Sequence, residues 1–289
     1  MRQTLSERLR QPGLVVAPGV YDLVSAKLAD QAGFDALYMT GFGVVASHLG
    51  YPDAGLATYS DMVGRVRQIV EGTATPLIAD GDTGYGGLLN VDLTVRGYEA
   101  SGAQAIQLED QEFPKKCGHT PSRRVIPLAE AARKIKVAAR ARSSKDFKII
   151  ARTDARTAHG LDEALRRGDA FLKAGADIVF IESPESVEEM ERIGRTFDAP
   201  LLANMVEGGR TPILNSSELE KLRYKIAIYP VAGLFAATST IQSIYAHLKA
   251  TGSTQNWAGH LCPFSEFVRI IGFERVWEFE RANPEDEYW

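Results

Sequence analysis

The sequence predicts an α/β fold, a (β/α)8 barrel of the TIM type with additional C-terminal helices, and three observations carry that reading. Eight short aliphatic runs are spaced along the chain, each nearly continuous in hydrophobicity, as parallel strands covered by helices require. Segments with helical apolar spacing separate them. A phrase recurs where helix passes to strand (QAGFDALYM, ASGAQAIQL, KAGADIVFI), with Gly33, Gly102 and Gly175 placed to take the left-handed conformation at a helix C-terminus. An open doubly wound sheet is the alternative, and the absence of a GxGxxG turn after the first strand weakens it.

The first strand is LVVAPG from Leu14, and YDLVSAKLADQAG after it has helical spacing. ALYMTG from Ala36 follows, then the helical SDMVGRVRQIVEG, and PLIADGD from Pro76 and AIQLED from Ala105 are the third and fourth strands. After Asp110 the chain runs QEFPKKCGHTPSRRVIP before helix resumes near Leu128 with LAEAARKIKVAARA. That stretch exceeds an ordinary βα loop, and loops of this size serve as lids or binding elements. KIIARTD from Lys148, the helical LDEALRRGDAFLKAG and IVFIES from Ile178 continue the alternation; PLLANM from Pro200, SSELEKLRY and IAIYPV from Ile226 complete it. The whole of 1–289 reads as one barrel domain, of which about 255–289 is a helical extension. In it, Cys262 to Ala282 is amphipathic helix with an aromatic face (Phe264, Phe267, Phe273, Trp277) that needs a covering surface, either a second subunit or the barrel's own end.

Composition excludes several classes. The 289 residues are 45% hydrophobic and 24% charged, ordinary for a folded protein. With 33 basic against 37 acidic residues the net charge is −4, so no basic surplus exists for nucleic acid. Two cysteines cannot build a disulfide framework and fit a reducing compartment, and five scattered histidines do not suggest zinc. No apolar run has the length of a signal peptide or membrane span, so a cytoplasmic protein without a membrane partner is expected.

Polar residues gather where strands finish, and in a barrel those ends meet at one mouth. The third strand ends in Asp80-Gly81-Asp82, the fourth in Glu109-Asp110, and the turn after the second leads to Asp53. Carboxylates so gathered repel unless a cation or shared protons compensate, and hard oxygen ligands without a histidine or thiolate cluster point to Mg²⁺ or Mn²⁺. Taken singly, each acid is equally readable as a helix cap or turn residue. Arg152 ends the fifth strand, where a guanidinium either grips a substrate carboxylate bidentately or pairs with a neighbouring acid. Glu182 ends the sixth strand, and Asn204, followed by Glu207, the seventh. Cys117 lies in the long loop between Lys116 and His119, a setting that lowers a thiol pKa or lets the thiol donate a proton. Cys262, beside Pro263 and Phe264, reads as an inert packing residue.

The motifs YMTGFG, ADGDTGYGG, LEDQ, PKKCGH, ARTDA and NMVEGGRTP together make the chain resemble the isocitrate lyase / phosphoenolpyruvate mutase superfamily over essentially its whole length. The likeness is strongest to its short, cysteine-bearing lyase branch, whose members act on 2,3-dimethylmalate, 2-methylisocitrate or oxaloacetate. That resemblance implies a homotetramer, a dimer of dimers exchanging C-terminal helices. It implies Mg²⁺ near Asp80 and Asp82, with Asp53 and Glu109 acting largely through water. It assigns substrate contacts to Thr40, Gly41, Phe42, Gly118, Arg152, Glu182, Asn204 and Glu207. It assigns catalysis to Cys117, as the acid that protonates the departing enolate, with Lys115, His119 and Glu109.

One departure bears on the substrate. Members that cleave 2-methylisocitrate resemble one another in carrying two arginines for the extra carboxylate, and the same spacing here gives Phe235 and Phe264. Aromatic side chains cannot pair with a third carboxylate, and an unpaired buried charge is strongly unfavourable. The expected substrate is therefore a dicarboxylate with a small or apolar C3 substituent, a 2-alkylmalate such as 2,3-dimethylmalate. A shifted alignment that places Arg269 in the role is the alternative. Oxaloacetate hydrolysis or decarboxylation, 2-methylisocitrate cleavage, phosphonomutase chemistry and a catalytically silent oligomeric barrel are the other readings.

Overall fold

The structure, a computed structural model, describes residues 3–284 except residue 121. The chain enters through α1 (Leu5–Leu9) and then alternates β1 (Val15–Val20), α2 (Leu23–Gln31), β2 (Leu37–Met39), α3 (Gly41–Val44) with a π-helical turn at Val45–Leu49, α4 (Tyr59–Gly72) and β3 (Leu77–Asp80). Next come α5 (Leu88–Ala100), β4 (Ala105–Glu109), α6 (Leu128–Ala141), β5 (Lys148–Thr153), α7 (Ala155–His159), α8 (Leu161–Ala174) and β6 (Ile178–Ile181). The series closes with α9 (Val187–Thr196), β7 (Leu202–Asn204), α10 (Ser216–Lys221), β8 (Ile226–Tyr229) and α11 (Ala232–Thr251), followed by α12 (Phe264–Ile270) and α13 (Phe273–Ala282).

All eight strands are parallel and pair in the order β6-β5-β4-β3-β2-β1-β8-β7. The outer strands of that order meet through a parallel bridge between Val179 and Leu201, where Val179 N donates to Pro200 O at 3.1 Å. The barrel is thus nearly closed, as the eight-run pattern requires. The recurring helix-to-strand phrase has its expected cause: Gly33, Gly102 and Gly175 stand at φ of +80°, +89° and +109° after α2, α5 and α8. A side chain at such angles is strained, so glycine stops each helix and releases the chain into the next strand. Capping boxes at Asp22, Thr58 and Asn215 start α2, α4 and α10.

Two layers of core follow from the strand period. Alternate residues (Val15, Ala17, Tyr38, Ile78, Ala105, Ile150, Ile178, Phe180, Leu202, Ile226, Ile228) fill the barrel, joined by Leu5 of α1. The residues between them face the surrounding helices in two further clusters, one around β2 to β5 and one around β6 to β8.

The chain divides into two compact units, Met1–Leu234 and Phe235–Trp289, the barrel belonging to the first. The segment from Cys262 to Ala282 is amphipathic as expected, but it is two helices rather than one, because Gly272 takes φ +94° between α12 and α13. Its aromatic face is open: Phe264 is 83% exposed, and Phe273 and Trp277 are exposed with ring centroids 5.9 Å apart. Residues 285–289 of the expected extension lie outside the described residues. No helix among the described residues is long and apolar enough to cross a membrane.

Candidate active site

The same period of two that packs the barrel also lines its mouth. On six strands the last apolar interior residue is followed two positions later by a polar one on the same face: Tyr38 by Thr40, Ile78 by Asp80, Ala105 by Gln107 and then Glu109, Ile150 by Arg152, Phe180 by Glu182 and Leu202 by Asn204. Strand register then sets neighbours side by side, with Asp80 opposite Gln107 and Glu109 opposite Arg152.

Asp80 is held rigidly. Its Oδ2 accepts from Gly41 N at 3.2 Å, and its Oδ1 accepts from Asp82 N at 3.1 Å and Gln107 Nε2 at 3.4 Å. Behind it, Tyr38 OH donates to Gln107 Oε1 at 3.1 Å. A β-carbon at Gly41 would meet Asp80 Oδ2 at 2.5 Å, so this close approach requires glycine. Asp82 stands in the left-handed region at φ +47°, a strained conformation that turns its carboxylate into the mouth.

The acids have a cation among them. Lys115 Nζ, from the long loop, lies 2.5 Å from Asp53 Oδ1 and 2.6 Å from Asp82 Oδ1, with all three side chains buried. Both oxygens are thus paired with the Lys115 ammonium, whereas Glu109 Oε1 is buried without a hydrogen-bond donor. Burial, opposed by Lys115 and reinforced by Asp80 and Asp53, pushes Asp82 up to about 7. Burial also raises Glu109 well above the usual carboxylate range, against the pull of Arg152. Hard carboxylate oxygens gathered at one mouth, with Glu109 Oε1 left without a donor, fit a small divalent cation. Among the described residues no three acidic, histidine or thiolate groups converge on one ion position. That spacing suits an ion held directly by one or two carboxylates and through water by the others.

Of the two roles its sequence left open, Arg152 shows the pairing with a neighbouring acid. Its Nε and Nη2 donate to Asp154 Oδ2 and Oδ1, each at 2.9 Å. The other edge faces the mouth, with Nη1 3.4 Å from Glu109 and Nη2 3.5 Å from Glu182, and the guanidinium lies 5.3 Å over the Phe180 ring. The pairing acid is thus Asp154, and the outer edge keeps its donors for an anion. Beside it, Asn204 Nδ2 donates to Glu182 Oε2 at 3.0 Å while Asn204 Oδ1 has no donor. Glu207 is half-buried, with an Oε2 that is also without a donor. Thr40 caps α3, accepting from Gly43 N at 3.3 Å, and Phe42 is half-buried beyond it.

The long loop brings Cys117, Gly118 and His119 to this edge. Cys117 N donates to Asp53 O at 3.1 Å, and Ser183 Oγ donates to Gly118 O at 3.2 Å. A β-carbon on Gly118 would collide with the Arg152 guanidinium and meet Glu182 Cδ at 3.0 Å. The setting of Cys117 differs from the electropositive one that its neighbours suggest: burial pushes its thiol up, the His119 backbone N–H opposing, because Lys116 is exposed and Lys115 is turned to the acids. Burial lowers His119, so the ring is neutral near pH 7; its Nε2 is 3.4 Å from Asn204 Nδ2. Cys262 is exposed rather than packed.

Sequence reading missed most of the layer beneath and set Asp110 among the acids of the mouth. Asp110 accepts from Thr153 Oγ1 at 2.6 Å, Asp154 N at 2.9 Å and Arg167 Nη1 at 2.9 Å, which makes it structural. Arg123 pairs with Asp154, and Ser183 Oγ shares its one proton between Gly118 O and Glu182 Oε1, the latter at 3.0 Å. The signal for Asp154 was present in its spacing, two residues beyond Arg152 on one strand face. Arg123 and Arg167 gave none, because loop and helix arginines are ordinary surface residues. Phe235 and Phe264, expected near substrate, belong to the second unit and are 43% and 83% exposed.

Comparison with known proteins identifies the family. The model of the phosphoenolpyruvate phosphomutase family matches residues 5–249. The chain is 51% identical to a 2,3-dimethylmalate lyase of Eubacterium barkeri over 280 residues, 97% of this chain and 96% of that protein. Among solved structures it is similar to oxaloacetate acetylhydrolase in complex with 3,3-difluorooxalacetate (34% identity, TM-score 0.91, 97% and 96% of the two chains). It is equally similar to a crystal structure of 2,3-dimethylmalate lyase (36%, TM-score 0.91, 97% and 94%). A phosphonopyruvate hydrolase complex with oxalate and Mg²⁺ follows at 31%, TM-score 0.86, covering 97% and 99%. Barrel, strand-end carboxylates and loop cysteine thus occur in a chain that belongs to the phosphoenolpyruvate phosphomutase family, within the PEP mutase/isocitrate lyase superfamily.

Proposed function

We propose that the protein is a Mg²⁺-dependent carbon–carbon lyase that cleaves a 2-alkylmalate-type dicarboxylate, 2,3-dimethylmalate or a near analogue, to pyruvate and a short carboxylic acid. The observation that carries this reading is a thiol kept protonated by burial, on a loop whose Gly118 packs against the Arg152 guanidinium. A nucleophile needs the thiolate, whereas an acid that quenches a carbanion needs the thiol. Similarity to a 2,3-dimethylmalate lyase at 51% identity over 97% of the chain supports the substrate class.

In this reading Arg152 holds a substrate carboxylate on its outer edge, aided by Asn204 and the turn at Thr40, Gly41 and Phe42. Asp80 and Asp82, with Asp53 and Glu109 as outer partners, would hold Mg²⁺ or Mn²⁺, which would supply polarisation of the C2 oxygen and neutralise charge there. Glu109, raised by burial and with a free Oε1, takes the C2 hydroxyl proton. The C2–C3 bond then breaks, C2 becomes the carbonyl of pyruvate, and its electron pair passes to C3 beside the second carboxylate. Cys117 donates its proton to C3, giving propionate from 2,3-dimethylmalate. Lys115 ties the loop to Asp53 and Asp82, and neutral His119 orders Asn204, which together keep water from the carbanion. The working form in this reading is a cytoplasmic homotetramer that exchanges C-terminal helices.

A pyruvate-coupled assay across 2,3-dimethylmalate, other 2-alkylmalates, 2-methylisocitrate and oxaloacetate tests the proposal, with oxalate measured separately. Pyruvate release from 2,3-dimethylmalate or another 2-methylmalate, or the matching 2-oxo acid from a longer 2-alkylmalate, supports it, and a clear preference for 2-methylisocitrate overturns it. Similarity to oxaloacetate acetylhydrolase favours oxaloacetate hydrolysis as the second reading, and oxalate formation would assign it.

A further inference from the structure

We infer that Arg123 is a positioning residue for Arg152, acting through Asp154, the carboxylate that both guanidinium groups share. The inference rests on the site reading above. Arg123 is 4% exposed although Ser122 and Arg124 on either side are exposed. Its Nη1 pairs with Asp154 Oδ1, and its Nη2 donates to Thr157 Oγ1 of α7 at 2.7 Å. Arg152 grips the same carboxylate through Nε and Nη2, so Asp154 Oδ1 accepts from both arginines.

The angle of the Asp154 carboxylate fixes where the free edge of Arg152 points, because the paired edge and the free edge belong to one rigid plane. The backbone of Asp154 is anchored by its N–H to Asp110 Oδ1 at 2.9 Å, which leaves the carboxylate to be oriented by its two guanidinium partners. Arg123, itself fixed by Thr157, supplies an orienting contact that does not move with Arg152. Arg123 also stands on the loop that carries Gly118, which packs against Arg152 directly. One loop therefore sets the substrate guanidinium from two sides. Burial pushes Asp154 up, but Arg152 and Arg123 outweigh it and hold the carboxyl below its ordinary range.

Oxalate with Mg²⁺ is the probe, titrated calorimetrically against the full chain. Arg123→Met should weaken oxalate binding about tenfold, and Arg123→Lys, which keeps the charge and loses the fork, should recover part of it. In an Arg152→Lys background the Arg123→Met change should shrink to less than about twofold, because the effect passes through Arg152. Alkylation of Cys117 in a Cys262→Ser background reports the loop, and its rate should change less than about twofold with Arg123→Met. Unchanged oxalate affinity overturns the inference. So does the same loss in both backgrounds, and a large rise in Cys117 alkylation alongside that equal loss assigns Arg123 to holding the loop. If Arg123→Met does not fold, Thr157→Val serves, with about a threefold loss and the same dependence on Arg152. The lyase reading is judged separately, by pyruvate release from the unmodified protein.

Discussion

At the scale of single residues, the site is governed by what burial does to charge. The Cys117 thiol is pushed up by desolvation, so its protonated form persists through neutral pH and is lost only above the ordinary thiol range near 9. The alkaline limb of kcat for lyase turnover should accordingly lie above about pH 9, and a limb near pH 7 in a pH–rate profile would exclude Cys117 as the acid. Cys117→Ser should lower kcat by about 100-fold or more with an unchanged unfolding temperature, since a general acid is lost and no packing is. Gly118→Ala drives a β-carbon into the Arg152 guanidinium and should lower kcat/KM by about 100-fold, through displacement of a positioned group.

At the scale of elements, the loop between β4 and α6 is fastened at its base by an arginine from the outer helix layer. Arg167 of α8 donates through Nη1 to Asp110 Oδ2 and to Ile126 O, both at 2.9 Å, and so holds the two ends of the loop together. Antiparallel pairing of Gln111 with Val125 and the Glu112 N to Arg124 O bond at 2.9 Å continue that fastening. Arg167→Met leaves the Asp110 carboxylate buried without its cation and should destabilise the fold by about 3–5 kcal/mol in denaturant unfolding. The loop between Asp110 and Leu128 was legible in the sequence by its length and composition. Its fastening was not, because Arg167 sits in LDEALRRGDAFLKAG beside the solvent-exposed Arg166 and nothing local separates them.

At the scale of the whole molecule, the mouth concentrates negative charge that folding alone leaves incompletely compensated. Asp82 is raised to about 7 from an ordinary 3.8, so its contribution to stability is present below about pH 4 and is lost as pH rises through about 7. A divalent cation binds the carboxylate form and competes with that proton. Stabilisation by Mg²⁺ in thermal unfolding should therefore be larger at about pH 8 than at about pH 5.5, and equal shifts at both would remove Asp82 from the ligand set. The open aromatic face of α12 and α13 belongs to this scale as well. Sedimentation should give a mass above that of one chain, and Phe273→Glu with Trp277→Glu should lower it by placing charge on the face proposed to meet a second subunit.

The order of eight strands, the helix stops at Gly33, Gly102 and Gly175 and the acids at strand ends were determined by the sequence itself. Each of those depends on local rules: hydrophobic period, left-handed backbone and the two-residue alternation that carries Ile78 to Asp80 and Ile150 to Arg152. The break at Gly272 was less plain, since an isolated glycine inside an amphipathic pattern is tolerated as often as it ends a helix. Tertiary structure alone decided which charges meet. Lys115 reaches Asp53 and Asp82 across long loops, Arg123 and Arg152 converge on Asp154, and Arg167 reaches Asp110 from 57 residues away. Ion pairing acts through space and carries no periodicity along the chain, so the residues that bear the chemistry could be read from the strands, while their pairing, and with it the protonated state of Cys117, emerged only from the fold.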